Sequence, residues 1–158
     1  MVTERRFVRI APGVDVPYPE PSSAAASLIG RANRRTDTKP EVLLRKELHR
    51  RGLRFRKDHL VRAERAKARV DVCFTRARVA VFGDVCFWHR RAEHCHIPKT
   101  NQAYWIPKLD ANVARDRRVD GALRSDGWEV VRVWEHEPAN VAAEGIERIV
   151  RARRPTSR

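Results

Sequence analysis

The order of hydrophobic periods along the 158 residues predicts an α/β domain, a central mixed sheet flanked by helices. Three observations predict it. A capped helical run opens at Thr38, two short apolar runs stand either side of a turn at Thr75-Arg76, and two further helical runs bracket a single strand.

The elements follow in order. Residues 1–27 mix Pro12, Pro17, Pro19 and Pro21 with small and charged residues and show no sustained period, so they read as a mobile arm ahead of a domain at 28–153 and a basic tail at 154–158. Thr38-Lys39-Pro40-Glu41 matches a capping box with proline in the first turn, and opens a helix to about Arg51, before Gly52. Leu53 to Leu60 reads as a short strand. Val70-Asp71-Val72-Cys73-Phe74 and Val79-Ala80-Val81-Phe82 form a hairpin whose second strand ends at Gly83-Asp84. Cys86 to about Ala103 is a loop dense in His, Cys, Trp and basic residues. Pro107 opens a long helix to about Ser125 with Leu109, Val113 and Leu123 at helical spacing, and Gly127 stops it. Glu129 to Trp134 is a strand, and Pro138 and Asn140 precede a last helix with Ile146, Ile149 and Val150 on one face. No internal repeat is visible.

Charge narrows the partners. The formal net charge is +14 and the sequence pI is near 11.0, a field that favours polyanions, nucleic acid first. Arg31 to Arg35, Arg50 to Lys57, Arg62 to Arg69 and Arg115 to Arg118 are spread suitably for phosphate contacts, each by itself only a solvated face. No apolar run approaches the roughly 20 residues of a membrane span and no signal peptide opens the chain, so a soluble cytoplasmic or nucleoid-associated protein is expected. The cysteines Cys73, Cys86 and Cys95 cannot all pair within one chain, and a disulfide scaffold is not expected.

Hydrolysis of a phosphodiester needs a divalent cation, which carboxylates bind, and a group that handles the proton of water. Asp71 interrupts an apolar strand where an unpaired carboxylate is costly. It suits a cation, although a solvent-facing position on a half-exposed hairpin explains it too. Asp84 closes the next strand and offers a second carboxylate at the same sheet edge. Glu41 fits the capping box, and it also shares the stripe of Leu44 and Leu48 that should face the sheet. Asn112 and Asp116 share the inward stripe of the long helix, as catalytic groups or as partners of a neighbouring arginine. His89 has a near-neutral pKa suited to proton transfer, with metal ligation as its rival role. Cys86, His94, Cys95, His96 and His136 offer donors for a four-ligand zinc site, against free thiols and surface histidines. Phe87, Trp88 and Trp105 are suited to wedging into a base stack, or to a minicore around zinc. Cys73, alternating within a strand, belongs to the core.

Several blocks together resemble the very-short-patch repair endonuclease family, within the wider restriction-endonuclease superfamily. They are Asp37-Thr38-Lys39-Pro40-Glu41, Arg69-Val70-Asp71-Val72, Val81-Phe82 through Cys86-Phe87-Trp88-His89, Pro98-Lys99-Thr100-Asn101 with Tyr104-Trp105, Asn112 through Arg115-Asp116-Arg117, and Gly127-Trp128 with Val133-Trp134-Glu135. The match spans about Leu28 to Glu137. It implies a restriction-endonuclease-like three-layer fold with a zinc-stabilised loop. It implies a monomeric, magnesium-dependent endonuclease that nicks one strand 5′ of the T in a T:G mismatch in double-stranded DNA.

The family pattern implies that Asp71 and the Gly83 carbonyl bind Mg2+, that His89 is the base, and that Glu41, Asn112 and Asp116 orient water. Phe87, Trp88 and Trp105 would then open the DNA, with Arg34, Arg35, Arg115 and Arg117 on phosphates, while Cys86, His94, Cys95 and His136 would hold Zn2+. The sequence departs from the pattern at Arg90-Arg91-Ala92, where relatives tend to carry histidine or cysteine, and at Asp84, where some carry histidine. Gly30 and Asn33 stand where some relatives place apolar residues. Two rivals are a restriction-type nuclease cutting both strands and a non-catalytic, zinc-stabilised DNA-binding protein.

Overall fold

Alternation along the strands builds a four-stranded sheet. In a computed structural model of the chain, which describes residues 6–19, 37–84 and 99–154, the strands β3 (Arg56–Arg62), β4 (Lys67–Phe74), β5 (Val79–Asp84) and β6 (Glu129–Trp134) lie in the order β3-β4-β5-β6. The first three are mutually antiparallel, and β6 runs parallel to β5, from Val79↔Glu129 to Asp84↔Trp134. The sheet is therefore mixed, as expected, and the hairpin of Val70 to Phe82 is present with Val72 opposite Val81.

Among the described residues three helices accompany the sheet. Helix α1 (Lys39–Arg50) follows Thr38, whose side chain makes no capping bond. Glu41 Oε2 instead accepts the Asp37 N–H at 2.9 Å, so half of the capping box forms, one residue earlier than the sequence pattern indicates. The helix ends in a Schellman motif: Gly52, at φ 73, donates to the His49 carbonyl and Leu53 donates to the Leu48 carbonyl at 3.0 Å. Helix α2 (Gln102–Ser125) starts ahead of Pro107, which lies inside the helix rather than at its opening. It is the sixth residue of the helix, beyond the first turn where proline is favoured, and reading it as a first-turn residue placed the start too late. Gly127 at φ 82 closes α2 by the same motif, with the Trp128 N–H bonded to the Leu123 carbonyl at 3.0 Å. Helix α3 (Ala139–Arg153) follows Pro138.

Two cores occupy the two faces of the sheet. Leu44 and Leu48 of α1 and Ala143, Ile146 and Val150 of α3 bury against Val72, Phe74, Val79, Val81 and Val133. Leu123 of α2 buries with Val61, Val70, Cys73, Ala80 and Val130. Neighbouring residues such as Val79 and Ala80 fall in different cores because strand side chains alternate between faces. Cys73 is a fully buried free cysteine, as its alternation indicated.

The segment read as an arm without regular structure holds a hairpin. Strands β1 (Phe7–Ala11) and β2 (Val14–Pro17) pair antiparallel around Gly13 at φ 75, and Arg9, opposite Asp15, bonds it at 2.8 Å. Pro12-Gly13 between alternating residues is a turn signal, which the surrounding prolines obscured. The described strands β3 to β6 and all three helices match the α/β expectation. The zinc-bearing loop lies outside the described residues. By contacts the chain divides into two compact units, one of residues 1–33 and 86–116 and one of residues 34–85 and 117–158.

Candidate active site

A break between strands makes the site. Regular pairing of β4 with β5 stops at Val72↔Val81, and the ladder between β3 and β4 skips Asp71 and its opposite number Asp58, which sits at φ 47. At the position freed in this way the Asp71 side chain replaces a backbone acceptor: its Oδ2 takes the Gly83 N–H at 2.7 Å. A Cβ on Gly83 would lie 3.4 Å from Glu41 Cγ and 3.7 Å from Asp71 Oδ2, so both acidic side chains border this glycine. Helix α1 and strands β4 and β5 thus bring together Glu41, Asp71 and Gly83, three of the residues singled out in the sequence.

The electrostatics match a cation site. Burial raises the half-buried Asp71 carboxyl to about 6, the Gly83 N–H acts in the opposite sense, and the negative charges of Glu41, Asp84 and Asp58 add to the rise. Glu41 is held from behind. Its Oε2 takes the Asp37 N–H and lies 3.7 Å from Arg45 Nη1, while Asp37 binds Arg45 and, at 2.7 Å, Lys57.

Asp84 is buried, only 4% exposed. Both its oxygens accept from Arg132 Nη1 at 2.8 Å, and Arg132 Nε and Nη2 donate to Asp120 at 3.0 and 2.7 Å. The Arg132 guanidinium also lies over the Phe82 ring, 5.0 Å from its centroid. Sequence reading found Asp84 but missed Arg132, Asp120 and Arg45, and quoted Asp37 without giving it a role. A signal for Arg132 existed: it interrupts Val131 and Val133 in the same way that Asp71 interrupts Val70 and Val72.

In the other unit, Asn112 and Asp116 are half-buried on α2, with Arg115 Nη2 3.5 Å from Asp116 Oδ1. Trp105 stacks edge-on with Tyr104, ring centroids 5.0 Å apart. Arg115 and Arg117 are exposed, and His136 is exposed in the turn after β6. His89, Phe87, Trp88, Cys86, His94, Cys95, His96, Arg34 and Arg35 lie outside the described residues. Among the described residues no group of three or more His, Cys, Asp or Glu side chains could hold an ion. Two carboxylates and a backbone carbonyl nevertheless fit Mg2+, a hard cation that keeps several waters and needs only one or two carboxylates. No described helix is long and apolar enough to cross a membrane.

A mixed α/β sheet carrying paired acidic side chains at a break between strands, on a strongly cationic chain, has the make-up of a nucleic-acid hydrolase. Residues 22–96 match the family model described as DNA mismatch endonuclease Vsr. The type II nicking enzyme V.NaeI of Lentzea aerocolonigenes is 48% identical over 130 residues, 82% of this chain and 78% of the relative. V.XorIIP of Xanthomonas oryzae pv. oryzae, also a type II nicking enzyme, is 37% identical over 113 residues, 70% of this chain and 79% of the relative. The DNA mismatch endonuclease Vsr of Escherichia coli K12 is 36% identical over 102 residues, 63% of this chain and 62% of the relative. The chain belongs to the Vsr family of DNA mismatch endonucleases, and is a DNA endonuclease.

Proposed function

We propose that the protein nicks one strand of double-stranded DNA on the 5′ side of the T in a T:G mismatch, with Mg2+ bound at the Asp71 centre. The observation that carries the reading is the placement of Asp71 and Glu41 beside Gly83, with the Asp71 carboxyl raised to about 6. Such a pair is unfavourable unless a cation or a proton joins it. The names of the relatives, nicking enzymes among them, support a cut in one strand.

Asp71 and the Gly83 carbonyl would hold the ion, with Glu41 beside them orienting its water. When bound, it lowers the pKa of water and offsets charge on the phosphate. His89 takes the proton of the attacking water, and Asn112 and Asp116 orient that water and its partners. Phe87, Trp88 and Trp105 enter the stack beside the mismatch, where unstacking costs less than in a matched duplex. Arg34, Arg35, Arg115 and Arg117 bind phosphates and set register without reading sequence. Cys86, His94, Cys95 and His136 are proposed to hold a structural Zn2+, checked by metal analysis of the purified protein and of Cys86→Ser. The protein acts as a monomer on nucleoid DNA.

The test is end-labelled duplex with a T:G mismatch, a T:A control and Mg2+. A single nick 5′ of the T, in the mismatched duplex alone, is expected. Equal cutting of the control, or cutting of both strands, refutes mismatch nicking.

A further inference from the structure

We infer that Arg132, clamped between Asp84 and Asp120, is a positioning residue for the Asp71 centre, fixing the end of β5 and hence the Gly83 backbone that grips Asp71. The inference rests on the reading of that centre as the place of cleavage.

The end of β5 is supported from one side. Its ladder with β4 stops at Val72↔Val81, whereas its ladder with β6 continues through Phe82↔Arg132 and Gly83↔Val133 to Asp84↔Trp134. The triad sits on this stretch. Arg132 bonds Asp84 through Nη1 and Asp120 through Nε and Nη2, and lies over Phe82, so one guanidinium ties β5, β6 and α2 together. The Glu135 N–H adds a bond to the Asp84 carbonyl at 3.0 Å.

Arginine suits this place because its planar fork fixes direction as well as charge, which a lysine point charge does not. Desolvating such a cluster is costly, and apolar side chains of similar volume hold a sheet as well or better. Its use therefore lies in geometry. Asp84 directly follows Gly83 and is the last residue of β5, so the same clamp fixes the end of the strand that carries Gly83.

Removing Arg132 alone takes from the buried Asp84 the bonds that Arg132 gives it and threatens the fold, so the test uses the double variant Asp84→Leu/Arg132→Met. It is expected to melt cooperatively near the wild-type temperature. Its kcat for mismatch nicking should fall on the order of 10–100-fold while KM for the duplex stays within about 2-fold, as expected for loss of support behind a ligand. A folded double variant with wild-type kcat overturns the inference. If it does not fold, Asp120→Asn, which keeps the Asp84–Arg132 pair, replaces it; a kcat about 3–10-fold down supports the inference and a wild-type kcat overturns it. Asp71→Asn run in parallel separates the two claims: its full activity sinks the proposed function, whereas an inactive Asp71→Asn beside fully active triad variants sinks only the clamp.

Discussion

Asp71 joins stability to function in opposite senses. Its carboxyl is raised from 3.8 to about 6 in the folded protein, so between those values the native state binds more protons than the unfolded one, and stability falls as pH rises through that window. A shift of about 2 units corresponds to about 3 kcal/mol, and solvent access to the half-buried group brings the expected cost down to about 1–2 kcal/mol. Asp71→Asn keeps an acceptor for the Gly83 N–H. At pH 7 it should raise the melting temperature by about 2–6 °C while abolishing Mg2+-dependent nicking; calorimetry and the nicking assay check both halves. In the wild type the rise in melting temperature given by Mg2+ without DNA should shrink as pH falls below about 6, because a protonated carboxyl does not ligate. Equal Mg2+ stabilisation at pH 5 and pH 7 would separate Asp71 from the ion. Asp71 was legible in the sequence because it broke an apolar run. Glu41 was legible twice, as cap and as inward stripe, and here one carboxylate oxygen caps the helix start while the side chain borders Gly83 beside Asp71.

At the level of elements, the αL glycines that end α1 and α2 are the local features most open to test. A Cβ on Gly52 meets nothing within 4 Å, but its φ is 73, so Gly52→Ala should cost about 1–2 kcal/mol through the backbone alone. Urea unfolding gives the value, and a neutral result would mean that the turn relaxes into another conformation. Leu48, fully buried between α1, α3 and the sheet, should cost about 2–5 kcal/mol on change to Ala, read from the same transition. Most elements were legible because each carries its own period or stop signal. The exceptions are instructive. Pro107 looked like a helix start although it lies in the second turn of a helix that begins at Gln102, and the prolines around Phe7 to Pro17 hid a hairpin whose turn signal was only Pro12-Gly13. The Asp84–Arg132–Asp120 cluster joins side chains up to 48 residues apart, and spacing carries no record of contacts that only the folded sheet creates.

For the molecule as a whole the charge of +14 governs association. With about 6 to 10 phosphate contacts, affinity for duplex DNA should fall about 10³–10⁵-fold between 50 and 200 mM salt. Arg115→Ala and Arg117→Ala should each lower the slope of log K against log salt by about 1, equally for matched and mismatched duplexes. A loss confined to the mismatch would instead make them readers of the lesion. The parallel pairing of β5 with β6 has a consequence for the newborn chain. The strand bearing Gly83 is translated long before the partner that flanks it, and Arg132 arrives with that partner. During synthesis the edge therefore stands open and the acidic pair has no rigid floor, so a ribosome-bound fragment ending before residue 129 carries every acidic ligand yet should leave the genome uncut.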